Sequence, residues 1–304
     1  MSLGAGRLRT PDFGASELLY KGRDPAVWYS TPTMEQTQEF WRLLLGGNLL
    51  VPLTDDPTAV YVDANCRFGE YALELAYEFP HTMVVGIGSE YNSPVGKPAN
   101  CNFVVENIPA GTSFGNGSCR FIQSRDVSLS MREENWRPYL TELYRMLEGN
   151  GWLQLLEVNV WREYPGNEGG GYRNWSEKVF PALAQIKGVC VWGLENQLPQ
   201  LAAQVGFTDI YPVHYRIPVG DWGSTQLSIS RSFITLTSDP RLVEAGLLLR
   251  QNLLRFVETK RALALSIIKD KTEGEIFIAS ARGELYDDTV MACHHVYYSC
   301  GYFN

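Results

Sequence analysis

The chain is 304 residues long, 45% hydrophobic, and carries 34 acidic against 26 basic residues for a formal charge of −8. That supplies apolar material for a full core in one large domain, and the negative balance argues against the Lys and Arg clusters that nucleic acid or an anionic membrane would require. No eighteen apolar residues run together, and Met1-Ser-Leu-Gly-Ala-Gly-Arg has no apolar signal region behind its basic residue, so a cytoplasmic protein is expected.

Residues 1–35 are rich in Gly, Pro, Ser and Thr and predict an irregular arm; Met34 to Leu45 then reads as a helix closed by Gly46-Gly47. Trp28, Tyr29, Phe40 and Trp41 crowd this arm. Aromatics there either cover a pocket or pin the arm to the core. From Ala59 a short apolar run predicts a strand, followed by a loop to Gly69 and a helix over Glu70–Phe79. Met83–Ile87, Asn102–Val105 and Arg120–Gln123 predict three further strands, Trp136–Leu147 a helix, and Trp152–Val158 a fifth strand after Gly149-Asn150-Gly151. Trp161 to Tyr172, with its Gly169-Gly170-Gly171, reads as a mobile loop over the crevice. Leu194–Val205 looks helical, Phe207–Val213 extended, Leu242–Ile268 one long helix or two, and Val290–Phe303 a closing strand.

Strands alternating with helices imply an α/β fold, a doubly wound, mostly parallel sheet covered on both faces. Residues 1–50 are expected to form an arm and helix packed on the core, and 51–304 one domain with a helical substrate cap at about 218–288. Six scattered cysteines without a Cys-x-x-Cys pair, and the absence of a His-x-x-x-His pair, give no sign of a metal site. Neither a Gly-x-Ser-x-Gly elbow nor a Gly-x-x-x-x-Gly-Lys-Ser/Thr loop is present, so hydrolase and nucleoside-triphosphatase readings have no support.

In such a sheet the ligand sits beyond the carboxyl ends of the strands, where the first loop turns into the first helix. Here that loop is Asp63-Ala-Asn-Cys-Arg-Phe-Gly69. Val60–Glu90, Asn102-Phe-Val-Val, and Trp136–Glu157 with its Leu-Glu-Gly-Asn-Gly-Trp-Leu turn resemble class I S-adenosylmethionine methyltransferases. More narrowly, Leu44-Leu-Gly-Gly-Asn-Leu, Glu78-Phe-Pro, Gly149-Asn-Gly-Trp152 and Tyr215-Arg-Ile-Pro-Val-Gly-Asp-Trp222 resemble the LaeA-like methyltransferases of fungal secondary metabolism, from about residue 30 onward. The resemblance implies a seven-stranded sheet and a cofactor site at Asp63, Asn65, Arg67, Gly69, Glu90 and Asn107.

The departures from that pattern fall on one site. The family's Asp-x-Gly-x-Gly-x-Gly has Asn65 and Arg67 in place of its first two glycines; its ribose-gripping acid falls on Gly88, with Glu90 two positions later; its acid near the adenine aligns with Asn107. Losing the close backbone approach and one charged hydrogen bond removes several kcal/mol, since such a bond alone contributes roughly 1.5–3 kcal/mol. No cofactor is therefore expected, and S-adenosylmethionine only if the altered site still binds, with Arg67 swung outward and Glu90 on the ribose.

Around the crevice, Arg125 and Asp126 follow the fourth strand and Glu157 ends the fifth; they read either as base and carbonyl-polarising groups or as structural ion pairs. His214, His294 and His295 are candidate proton carriers, and adjacent His294 and His295 cannot both face one pocket. Trp28, Tyr29, Asp126, Trp161 and Tyr297 are the candidate substrate contacts. The leading expectation is a methyltransferase-fold protein that cyclises or isomerises a polyketide or terpenoid intermediate without methylating it. The alternatives are an active small-molecule O- or N-methyltransferase and a non-catalytic regulatory partner. The expected partner is a small natural-product intermediate, with a homodimer left open, and neither nucleic acid nor membrane is expected.

Overall fold

In the computed structural model, residues 32–88, 94, 96–163, 170–189, 194–220, 240–287 and 293–302 are described. Strands β1 (Val60–Asp63), β2 (Met83–Gly88), β3 (Cys101–Val105), β4 (Cys119–Arg125), β5 (Leu147–Glu163), β6 (Thr208–Pro218) and β7 (Cys293–Tyr302) make one sheet in the order β3-β2-β1-β4-β5-β7-β6. The first five pair in parallel, and β7 runs antiparallel to both of its neighbours. The reversal at β1, between β2 and β4, opens the crevice where ligands bind in such sheets.

Period-two alternation sends successive side chains of each strand into different cores. Tyr61, Phe121 and Leu156 join one core; Val62, Ile122 and Leu155 join the other. The first core is completed by helices α1 (Pro32–Leu45), α2 (Glu70–Glu78) and α4 (Gly171–Lys187), together with α6 (Pro240–Thr259), α7 (Arg261–Ile268) and α8 (Lys271–Tyr286). The second is completed by α3 (Trp136–Met146) and α5 (Leu194–Val205). On α3 the buried residues Trp136, Tyr139, Leu140, Leu143 and Met146 recur at helical spacing, which is why this segment folds as a helix against the sheet.

α1 starts two residues before the expected Met34, with Pro32 at its first position, and ends where Gly47 N returns a hydrogen bond to Arg42 O at 3.0 Å. Leu242–Ile268 is two helices, broken at Lys260.

The loop expected over Trp161–Tyr172 is corrected at both ends. Trp161–Glu163 continue β5, and Gly171 and Tyr172 open α4, with Tyr172 fully buried. These glycines serve close packing: a Cβ on Gly171 would lie 2.4 Å from the Ser280 carbonyl oxygen of α8. The Glu284 carboxylate of α8 accepts from Tyr172 N, placing negative charge at the start of α4. Gly171→Ala should therefore force the helices apart, costing about 2 kcal/mol. The check is a thermal unfolding midpoint lowered by roughly 5 °C.

Candidate functional site

The site is built on the turn from β1 into α2. Ala64 N donates to Gln123 O on β4 at 2.7 Å and Cys66 N to Ile87 O on β2 at 3.0 Å, so the loop is pinned across the reversal in strand order. Gly69, with φ of 88°, opens α2, and a Cβ on it would sit 2.5 Å from the Phe103 ring. The fold itself thus requires glycine at 69. Glycine at 65 would serve only the close approach of a ligand, glycine at 67 would serve that approach and the backbone, and side chains occupy both positions.

Arg67 holds the left-handed backbone that glycine favours, φ 48°, at a cost of about 1–2 kcal/mol. Its Nη2 donates to the Asp126 carbonyl oxygen at 2.8 Å, and Asn65 Nδ2 donates to the Arg125 carbonyl oxygen at 2.9 Å. Asp126 is also left-handed, φ 49°. Two strained residues thus face each other across the crevice, tied by one bond, a pattern that concentrates at functional sites. Arg67 is exposed and spans the mouth.

α1 closes the opposite side. Trp41 Nε1 donates to Asp126 Oδ2 at 2.9 Å, and Gln38 Oε1 accepts from Arg125 Nη1. Gln38 Nε2 continues to Glu74 Oε2 at 2.7 Å. Between these elements lies a cavity of about 50 Å³, walled by Asp63, Asn65, Arg67, Tyr71, Arg125 and Asp126 with Gln38 and Trp41 above.

Burial governs the electrostatics. Asp63 is 3% exposed; desolvation pushes its carboxyl up to about 7, against the opposing pull of Arg125. Glu157 is wholly buried and is pushed up to about 8 by desolvation and by the nearby Asp126 charge. Desolvation also lowers Arg125 from its ordinary value and raises the Cys66 thiol far enough that it stays protonated.

For raised carboxyls the folded state keeps protons that the unfolded chain has released. Their stabilisation is complete below about pH 4 and declines as pH climbs through 7 and 8. Asp56 and Glu142, held down to about 2 chiefly by hydrogen bonds from Thr58 and Arg145 respectively, act oppositely, and their contribution is lost as pH falls toward 2. Thermal unfolding midpoints should therefore fall by about 5 °C or more between pH 5 and 8. Asp63→Asn should flatten that slope, whereas an equal slope in the variant would place the cause elsewhere.

Of the residues singled out in the sequence, Asp63, Asn65, Arg67, Arg125 and Asp126 meet at the cavity. Glu157 instead holds the turn after β4, accepting from Val127 N at 2.9 Å and Ser128 N at 3.1 Å. Asn107 is exposed on the turn at Ile108–Ala110, its carbonyl accepting from Ala110 N at 2.8 Å, away from the cavity walls. β2 ends on Gly88, which has no carboxylate to offer a ribose. Backbone register pairs His214 of β6 with Tyr297 of β7, and His294 and His295 of β7 with Arg162 and Asn159 of β5; Trp161 lies within the irregularity between those two β5 residues. Trp28, Tyr29 and Glu90 lie outside the described residues. Sequence reasoning missed Gln38 and Tyr71 and left Trp41 as an arm aromatic. The available signal was the three-residue spacing of Gln38 and Trp41, which puts both on one face of α1. Among the described residues no group of three His, Cys, Asp or Glu side chains could hold a metal ion, and no helix is long and apolar enough to cross a membrane.

The strand order, the reversed final strand and the crevice at β1 define a class I methyltransferase fold. No protein-family model matches the sequence. The chain is 25% identical over 243 residues to the methyltransferase pytC of Aspergillus terreus, covering 79% of this chain and 69% of that protein. It is 22% identical over 193 residues to the secondary metabolism regulator laeA of Aspergillus fumigatus, covering 59% of this chain and only 51% of that protein. The chain is thus similar to a fungal methyltransferase and to a fungal regulator of secondary metabolism. Among solved structures it superposes on Haemonchus contortus phosphoethanolamine N-methyltransferase 2 bound to S-adenosyl-L-methionine with a TM-score of 0.49, 15% identity, and coverage of 93% and 61%. It superposes on the [4+2]-cyclase SpnF with a TM-score of 0.46, 12% identity, and coverage of 93% and 86%.

Proposed function

We infer that this protein uses a methyltransferase fold without transferring methyl groups, and that it isomerises or cyclises a polyketide or terpenoid intermediate by moving a proton. The observation that carries the reading is the Arg67 guanidinium bonded to the Asp126 carbonyl across the tip of β1. That bridge crosses the path a nucleoside would take along the loop. The residues present do not fit S-adenosylmethionine: side chains stand at 65 and 67, two guanidinium groups would face a sulfonium cation, and the cavity of about 50 Å³ falls far below the roughly 300–1,000 Å³ of sites that enclose a whole small molecule.

The cavity instead suits the reacting end of a ligand whose remainder lies outside it. Asp63, with its carboxyl near 7, is matched to proton transfer at neutral pH. As carboxylate it takes a proton from a carbon next to a carbonyl, and the electron pair of that C–H bond moves onto the oxygen, which faces Arg125. Return of the proton to a different carbon isomerises the ligand; attack of the enolate carbon on a second carbonyl of the same molecule closes a ring. Isothermal titration with S-adenosylmethionine and S-adenosylhomocysteine should give no saturable heat. Saturation at micromolar concentration would overturn this reading in favour of an active methyltransferase.

A further inference from the structure

Arg125 is 8% exposed and lines the cavity, and among the described residues its hydrogen-bond partners are neutral. Its Nη1 donates to Gln38 Oε1, one face of the guanidinium lies 4.1 Å from the centre of the Tyr71 ring, and, with the Gln123 side-chain amide turned so that its oxygen faces the guanidinium, Nε and Nη2 donate to that oxygen (2.7 Å from Nη2). The same turn of the amide lets the Gln123 nitrogen donate to the Tyr71 hydroxyl at 2.7 Å. Among the described residues no carboxylate hydrogen-bonds or ion-pairs with Arg125. The nearby acids are engaged elsewhere or act only at a distance: Asp126 takes the Trp41 indole, Glu74 takes Gln38 and Asn48, and Asp63 accepts from Asn65 N.

A cation taken out of water and held by amides alone is costly, and a charged partner recovers most in such a place. Arginine has five N–H groups. The three bonds to Gln38 and Gln123 leave one N–H on each terminal nitrogen, a pair suited to two oxygens of one planar anion.

We propose that the guanidinium of Arg125 is the seat of an enolate, and that the natural ligand is an acidic 1,3-dicarbonyl compound bound through its delocalised O–C–C–C–O anion. This rests on the reading of the cavity as a proton-transfer site and names its substrate class. A 1,3-dicarbonyl loses its central proton far more readily than an isolated ketone, and its two oxygens share the negative charge in one plane. The carbon acid's C–H bond breaks, the proton goes to Asp63 or to water, and the electron pair spreads over both oxygens beside Arg125.

Pentane-2,4-dione and its 3,3-dimethyl derivative provide the test, because the open-chain enolate of the first can turn both oxygens to one guanidinium and the second cannot form the enolate between its carbonyls. Binding to the full chain is followed by isothermal titration and by the ultraviolet band of the enolate. The dione should bind about tenfold or more tightly than the dimethyl compound, with its enolate band shifted on binding. Arg125→Lys should weaken the dione by about tenfold and leave the dimethyl compound unchanged. Equal binding of the two compounds to the unaltered chain overturns the proposal, and that comparison needs no variant to fold. If S-adenosylmethionine also binds while the preference for the dione persists, the non-methylating reading fails and the anion seat stands.

Discussion

Replacing Asn65 and Arg67 by glycine together should convert a chain that gives no saturable heat with S-adenosylmethionine into one that binds it at micromolar concentration. Two effects add. The bridge to the Asp126 carbonyl disappears, opening the mouth of the cavity, and a guanidinium no longer faces the sulfonium. A gain of roughly 100-fold, or about 2.7 kcal/mol, is a conservative expectation for removing both a steric block and a like charge. Stability should change little, because the two lost hydrogen bonds, worth about 1 kcal/mol each, are largely offset by relief of the left-handed strain at Arg67. Arg67→Ala separates the contributions: it removes the guanidinium but leaves a β-carbon at φ 48°. Should the double glycine variant remain silent in titration, the obstacle lies at the end of β2, where Gly88 offers the ribose nothing.

Asp63→Asn should reduce enzyme-promoted isomerisation of a β,γ-unsaturated ketone probe such as cyclohex-3-en-1-one by about 10²–10⁴-fold, the usual contribution of a positioned general base. In the unaltered protein the rate should rise with the carboxylate fraction of Asp63 and level off above about pH 7. In the variant it should be flat. The amide has no alkaline ionisation penalty, so the variant should be the more stable protein at pH 8, which separates lost chemistry from lost fold. A variant that keeps its rate and its rise near pH 7 assigns the base to another group.

Much of the sheet was legible because β1, β2 and β4 are short apolar runs bounded by turns, and α3 shows its buried face in Leu140, Leu143 and Met146. The loop at Asp63–Gly69 was legible for a different reason: an acid, a glycine and the length between them fix the turn whatever occupies the middle. α4 was not legible. It opens on two glycines and contains Pro181, both loop signals, although Tyr172, Trp175, Val179, Phe180 and Leu183 recur at helical spacing behind them. Gly171 is there for contact with Ser280 and Gly170 for contact with Glu284, each more than a hundred positions away, and no local rule carries that information. The roof of the cavity was hidden likewise. Gln38 meets Arg125 and Trp41 meets Asp126 across separations of 87 and 85 residues, and a glutamine or tryptophan on an amphipathic helix carries no mark of its distant partner.

Among the described strands, β7 comes last along the chain yet occupies an interior place in the sheet, and β6 joins the others only through it. On the ribosome, β5 and β6 must therefore wait with unpaired backbone edges until residues 293–302 emerge and slot between them. Such long-range closure is slow relative to local helix formation, and an exposed strand edge invites association with other chains. Yield of native protein should thus depend on how well nascent chains are shielded during that interval, more than on the strength of the finished core.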